Sequence, residues 1–352
     1  HFVLDATPLR DVLLFFYDHS GRLVEFFICL SGFIFFCKYR KRVSSHAIDL
    51  RTFMILRLTR LYPLHFATLI IIAVLQVIYF SINKKYFLYE YNDLYHFILN
   101  LFFLNSGFLS SGWSFNGPSW SVSIEIFMYF VFFFVFAFRL RSLFAPLCLA
   151  VLGIFLIKHH DALMFPTIAD TVGMGLSCFF IGGLCHMLYE QTLRLNSRQQ
   201  RLAGNAIAAG FFFVFTLVLL ATYGAEWAGN AIGDVRLVYI LAVFPLAVLT
   251  GVTENAFRKI LDNRVTAHLG DISYSMYLVH IPIQVGIMCL ATSVISINFT
   301  NVSTLILYVL TCVAAAEVFY LFYEKPAKER LRKLLLGASF GASLTEGKMA
   351  TE

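Results

Sequence analysis

A chain of 352 residues that is 59% apolar and 14% charged, with a mean hydropathy of +0.75, has too few polar side chains to cover a water-soluble surface. Apolar runs of roughly 18 or more residues, each long enough to cross a bilayer, recur along its length. Composition thus excludes a soluble enzyme and predicts an all-α, polytopic transmembrane helical bundle; the net charge of +6 informs through its placement rather than its size.

Nine apolar segments fall at roughly 23–37, 62–81, 118–138, 143–157, 170–189, 203–223, 237–253, 272–295 and 303–324. A shorter piece, 95–104, is too brief to span and reads as re-entrant or interfacial. Alternate connections differ sharply in basic content. Segments 38–60, 139–141, 190–201, 254–264 and 325–333 hold 20 Lys and Arg, the opposite set only 6. The positive-inside rule puts the richer set in the cytoplasm, and one alternation fits all nine spans. Nine spans with a cytoplasmic C-terminus leave the N-terminus outside. Residue 1 is His, and nothing before the first span resembles a signal peptide. The expectation is therefore one further span upstream, ten in all, with both ends inside. Residues 1–333 are expected to form one membrane domain and 334–352 a cytoplasmic tail, small and polar from Gly337 on and expected to be disordered.

The candidate residues follow in chain order. His1 would stand at the outer end of that upstream span; imidazole is the usual base for a hydroxyl proton near neutral pH, although a terminal His alone says nothing. Arg57 and Arg60 occur in LRLTRLYPLHF (56–66). Three positions apart they share a helix face and make a paired cationic patch at the cytoplasmic start of the second span. Planar guanidiniums suit phosphate, so the pair reads either as a dock for a phosphorylated donor or as an anchor to lipid headgroups. Pro63 marks the start of that span or a kink in it.

Residues 117–130, GPSWSVSIEIFMYF, place Glu125 about two turns into an apolar helix. A carboxylate there costs roughly 2.5–3.5 kcal/mol on insertion scales, so it faces a bundle interior or a wet site. It could orient a base, bind a hydroxyl acceptor, or pair with an Arg. Gly117-Pro118 turns the chain into this helix, Trp120 suits the interface, and Ser121 and Ser123 are polar neighbours. His159-His160-Asp161 is a tempting metal cluster, but adjacent His side chains diverge on a helix and no third ligand is spaced to help; no metal site is expected.

In LGDISYSMYLVHIPI (269–283), Ser273, Tyr277 and His280 share one face, a polar side suited to a wet interior. His280 could titrate near neutrality or be a hydrogen-bonded core residue. Glu324-Lys325-Pro326 with KERLRK (328–333) reads as a cytoplasmic cap with headgroup contacts. The seven cysteines lie in apolar segments without a CxxC pair and read as buried structural thiols. The 39 Phe and 17 Tyr read as bulk and interface anchors, nearly all facing lipid.

Five stretches, EFFICLSGFIFF (25–36), RLTRLYP (57–63), SWSVSIEIFMYF (119–130), SYSMYLVHIPI (273–283) and YEKPAKERLRK (323–333), together resemble the acyltransferase-3 family of integral membrane O-acyltransferases, in its standalone form. The resemblance covers nearly the whole chain. It implies a bacterial cytoplasmic-membrane enzyme that moves an acyl group, most simply acetyl, from cytosolic acyl-CoA to a hydroxyl of a cell-surface or lipid-linked glycan. No bound cofactor is implied; acyl-CoA is a substrate, and membrane lipids and the glycan are the other partners. By the same resemblance Arg57 and Arg60 would hold the donor phosphates, and His1 would take the hydroxyl proton or carry the acyl group. Glu125 would orient the base or the acceptor. Trp120, Ser121, Ser123, Tyr277 and His280 would line the substrate. The family's Arg that precedes the His would lie upstream of residue 1. The competing reading is a multi-span transporter of a small polar or sugar-related solute, against which stand sparse intramembrane charges and the lack of an internal repeat.

Overall fold

The computed structural model describes residues 8–107, 109–138, 143–294 and 296–337, and among these residues it is helical, with no strand. In chain order the helices are α1 (Arg10–Ser44), α2 (Leu50–Asn83), α3 (Leu94–Leu101), α4 (Ser119–Ala137), α5 (Phe144–His159), α6 (Pro166–Thr192) and α7 (Ser197–Thr222). There follow α8 (Glu226–Ile232), α9 (Val235–Val238), α10 (Phe244–Val252), α11 (Ala256–Leu261), α12 (Arg264–Ser293), α13 (Val302–Phe319) and α14 (Lys325–Leu336). Nine helical stretches among the described residues are long and apolar enough to cross a membrane, one for each segment read from the sequence. The expectations for His1 and for the tail beyond residue 337 fall outside the described residues.

Helix starts follow side-chain chemistry. Asp49 caps α2 by accepting from the Thr52 amide, Asp93 caps α3 by accepting from the His96 amide, and Asn196 with Gln199 forms a capping box at α7. Eight-residue α3 rises only about 12 Å, far short of a span, in keeping with the short piece read at 95–104. Pro63 does not open the second span: α2 begins at Leu50 and runs through it. Polar residues before Pro63 are helical because the cap at Asp49, not hydropathy, sets the start.

Two other prolines leave a clearer mark. Residues Tyr239–Val243 and Tyr320–Glu324 form π-helical turns, directly before Pro245 and Pro326 near the starts of α10 and α14. A proline inside a continuing helix lacks the N–H for the carbonyl four residues back, and its ring crowds that carbonyl. Widening the preceding turn relieves both problems, and such π turns collect at functional positions.

The described chain divides into two compact units. Among the described residues the first comprises Pro8, Ile48–Ile126 and the chain from His268 to residue 337, the second Leu9–Ala47 and Phe127–Ala267, with boundaries inside α4 and in the first turn of α12. The first unit contains α2, α3, the opening turns of α4, and α12 to α14. Leu69, Ile72 and Tyr79 of α2 meet Ile281, Val285 and Cys289 of α12 and Phe115 in its core, while α14 packs along α2.

In the second unit α6 is the most buried of the nine spans, packed between α1 and α5. Glycines set these approaches. A Cβ on Gly32 of α1 would collide with the Phe179 carbonyl, and one on Gly182 of α6 with the Cys29 carbonyl. Small residues that let backbones touch are the usual basis of helix association in lipid, where no hydrophobic drive exists between helices. Around these contacts Phe35, Phe36, Phe132, Phe136, Phe179 and Phe180 are fully buried, and Phe35 stacks on Tyr129 at 4.3 Å between centroids. The expectation that nearly all aromatic residues face lipid is therefore corrected: many remain exposed, but a good number build this core, because flat rings fill the space that glycine contacts leave beside them. All seven cysteines are free, and five are buried as expected, but Cys37 and Cys148 are exposed.

Candidate functional site

In the first unit, hydrogen bonds tie three spans into a polar seam. The Tyr274 hydroxyl of α12 donates to the Leu61 carbonyl of α2 at 2.8 Å, beside Arg60. One turn further along α12, the Tyr277 hydroxyl donates to the Pro118 carbonyl at 2.8 Å and meets the Ser121 hydroxyl of α4 at 2.9 Å. Glu125 follows Ser121 by four residues, on the same face of α4. It is half-buried, and its charge lies within electrostatic reach of both Tyr274 and Tyr277. Arg60 also lies within electrostatic reach of Tyr274. Arg60, Tyr274, Glu125, Tyr277 and Ser121 therefore form one row of polar groups inside otherwise apolar spans.

The two arginines are not presented alike. Arg57 is buried and Arg60 exposed, so the pair is one inward and one open cation rather than a flat patch. Beside them Glu324, only 4% exposed in its π turn, accepts the Ser275 hydroxyl at 2.6 Å. Arg332 of α14 donates from Nε to Thr59 Oγ1 at 3.2 Å and from Nη2 to the Leu56 carbonyl at 3.1 Å.

Other candidates sit nearby without joining the row. Ser123 hydrogen-bonds Asn105, and Trp120 packs edge-on to Trp113 with centroids 5.6 Å apart. His280 is half-buried, and its Nδ1 lies 2.7 Å from the Tyr277 carbonyl. A carbonyl only accepts, so Nδ1 carries the proton and Nε2 the lone pair. The Ser273 hydroxyl donates back to Gly270 at 2.8 Å. Shared helix spacing therefore brings Tyr277 to α4 but does not gather Ser273, Tyr277 and His280 into one site.

Beneath the start of α4 lies a buried amide network that motif reading missed. Asn100 donates to Ser114, Asn105 donates to Asn100 and Ser119, and Asn116 donates to Thr68 and the Leu278 carbonyl, all within 2.7–3.2 Å. Its signal was present: a cluster of Asn, Ser and Gly over residues 100–123 in a chain poor in polar residues. Tyr89 was also missed. Its hydroxyl occupies the place a Cβ on Gly117 would take, and burial pushes its pKa up to about 12, so it stays neutral beside Tyr277 at any ordinary pH. In the same loop Asp93 is held below the usual carboxylate range by hydrogen bonds from the His96 amide and ring.

The second unit holds its own charged cluster. Glu25, 5% exposed, accepts from Arg22 at 2.6 Å and from Arg236 Nε at 3.0 Å, and Arg236 also grips both oxygens of Asp170. His19 meets the Thr222 hydroxyl at 3.0 Å and packs beside Tyr239, the first residue of the π turn. Two cations face two carboxylates. No set of three or more His, Cys, Asp or Glu suited to a metal occurs among the described residues.

An all-helical bundle of membrane-length spans, with a polar row of Arg, Tyr, Glu and Ser inside it, is the architecture of an integral membrane enzyme or carrier. Comparison with family models decides between these. The acyltransferase-3 model, described as an acyltransferase domain, matches residues 12–323, and the chain belongs to that family. It is a membrane acyltransferase. The match includes Arg57, Arg60, Trp120, Ser121, Ser123, Glu125, Tyr277 and His280, and does not reach His1 or any of α14. The curated proteins searched contain no match to the chain. The solved structures searched contain none either.

Proposed function

We propose that this acyltransferase takes an acyl group, most simply acetyl, from cytosolic acyl-CoA and delivers it to a hydroxyl of a cell-surface or lipid-linked glycan. The observation that carries the reading is the row from Arg60 through Tyr274, Glu125 and Tyr277 to Ser121. It gives the first unit a cationic end and a hydroxyl-rich end joined by groups that can hold polar substrate inside a membrane. Arg57 and Arg60 bind the donor phosphates at the basic end, which the distribution of Lys and Arg assigns to the cytoplasm together with the C-terminus. Trp120 offers a ring face to a sugar. Ser121 and Tyr277 hydrogen-bond acceptor hydroxyls, and Ser123 and His280 border the same end. The membrane is a bacterial cytoplasmic one.

In the reaction the acceptor oxygen attacks the thioester carbonyl, a C–O bond forms, and the C–S bond breaks. The hydroxyl proton passes to a base and then to the departing CoA thiolate. His1 is assigned as that base, with Glu125 orienting it or the acceptor. The test is transfer of label from radiolabelled acetyl-CoA to surface glycan, in membranes holding the full-length gene product. Loss of transfer when the His1 position is changed to Ala, and when Arg57 and Arg60 are changed together, supports both assignments. A folded protein that transfers no acyl group from any acyl-CoA overturns the reading.

A further inference from the structure

Read as a run, KERLRK (328–333) looks like uniform headgroup-facing charge. The fold divides it. Arg330 and Lys333 are exposed, whereas Lys328 and Arg332, four residues apart and so on one face, are half-buried on a helix that packs along α2. Arg332 is fixed there by its bonds to Thr59 and Leu56. Lys328, one turn before it, comes within electrostatic reach of Arg332, Arg60, Glu324 and Glu329. Among the described residues neither Arg60 nor Lys328 has a hydrogen-bond or ion-pair partner. Glu324 supplies one carboxylate, and one of its oxygens is engaged by Ser275.

Arg60, Lys328 and Arg332 repel one another where α14 meets α2, and an anion that takes the open donors of Arg60 and Lys328 relieves that repulsion. A phosphate ester fits the need: it is doubly charged, and it takes the planar fork of Arg and the point charge of Lys together. We propose that Arg60 and Lys328 form one phosphate-binding site at the junction of α2 and α14. Arg332 is its positioning residue, holding α14 against α2. This deepens the donor reading above and rests on it: the phosphate is that of the acyl-CoA donor, and α14 closes a dock that Arg57 and Arg60 only begin. The π turn at Tyr320–Glu324 has a clear role in this arrangement. By widening the helix before Pro326 it sets the angular register at which Lys328 and Arg332 meet α2.

Lipid headgroups share the phosphate chemistry, so the experiment must separate the two sources. Binding of radiolabelled CoA, and of pantetheine as a phosphate-free probe, is measured on the full-length protein in phosphatidylcholine nanodiscs. It is repeated in an equal mixture with phosphatidylglycerol. Lys328→Gln is expected to weaken CoA about tenfold, the scale of one lost charge-assisted contact, with pantetheine binding and melting temperature unchanged. Arg332→Lys, which keeps the charge but not the fork, weakens CoA without unfolding the chain. Arg330→Gln with Lys333→Gln changes neither probe.

If Lys328→Gln binds CoA as the wild type does, the inference falls while the donor reading stands. The same holds if Lys328→Gln alters only the response to phosphatidylglycerol, which would assign the site to lipid. Equal losses from the outer-face pair would also overturn it, as general surface charge. A wild type that binds no CoA removes the donor reading itself.

Discussion

Each unit keeps buried charge beside a proline-induced π turn, and the two handle it in opposite ways. In the second unit Arg22 and Arg236 face Glu25 and Asp170, so cations and carboxylates balance within the protein. In the first, Arg60 and Lys328 approach each other within reach of Glu324 and Glu329, yet among the described residues neither cation has a hydrogen-bond or ion-pair partner. A balanced cluster is complete without a ligand and acts as a clasp between spans. A cluster whose exposed Arg60 and half-buried Lys328 make no bond among the described residues keeps donors open to an incoming anion. The difference separates architecture from binding in a chain where both are built from the same residue types.

The comparison is most sharply broken at Arg236. Arg236→Ala leaves buried Glu25 with Arg22 alone and half-buried Asp170 without its guanidinium, at a cost of about 3 kcal/mol, the lower end for breaking a buried pair from one side. Thermal unfolding in detergent should show a loss on that scale, with activity lost only as folding is. Glu125→Gln should behave in the opposite manner. Transfer from labelled acyl-CoA is expected to fall by about 100-fold, the lower range for a group engaged in proton transfer, with an unchanged melting curve; full transfer would remove Glu125 from the chemistry.

Gly182→Val tests whether the second unit is architecture throughout. Its Cβ would meet the Cys29 backbone, and overpacking of this kind costs about 1–3 kcal/mol, read again as a lower unfolding midpoint. Arg60→Ala tests the open end of the first unit: KM for the donor should rise about tenfold with kcat nearly unchanged, as expected when ground-state binding is lost.

The smallest effect lies at the loop. Asp93→Ala should cost about 1 kcal/mol of local stability, seen as faster amide exchange in α3. Because the folded Asp93 titrates below its unfolded value, its contribution is full above the unfolded pKa, about 3.9. It disappears as pH falls through the folded one. Wild type and variant should therefore differ at neutral pH and converge in acid.

Much of this was legible from residue order. The nine spans follow from hydropathy because a bilayer imposes one length on every helix that crosses it. Glu125 stands out because a carboxylate in an apolar helix is costly wherever it points. The family was readable from five short stretches, since polar and charged side chains stand in them at fixed places within or beside apolar spans. By contrast, the Asn100–Asn116 network is a set of partners distant in sequence and chosen by loop geometry, so composition hinted at it without naming a single bond.

Sequence alone thus determined the class of fold, the number of spans among the described residues, and the candidates Arg57, Arg60, Glu125 and Tyr277. Tertiary structure decided which of them meet. Tyr277 reaches Ser121 while Ser273 and His280 stay on their own helix; Phe35 and Phe132 are core rather than lipid-facing; Lys328 turns inward while Arg330 turns out. The physical reason is the same in each case. Periodicity places a side chain on a face, but what covers that face depends on contacts between residues up to some 270 positions apart, as Thr59 and Arg332 are.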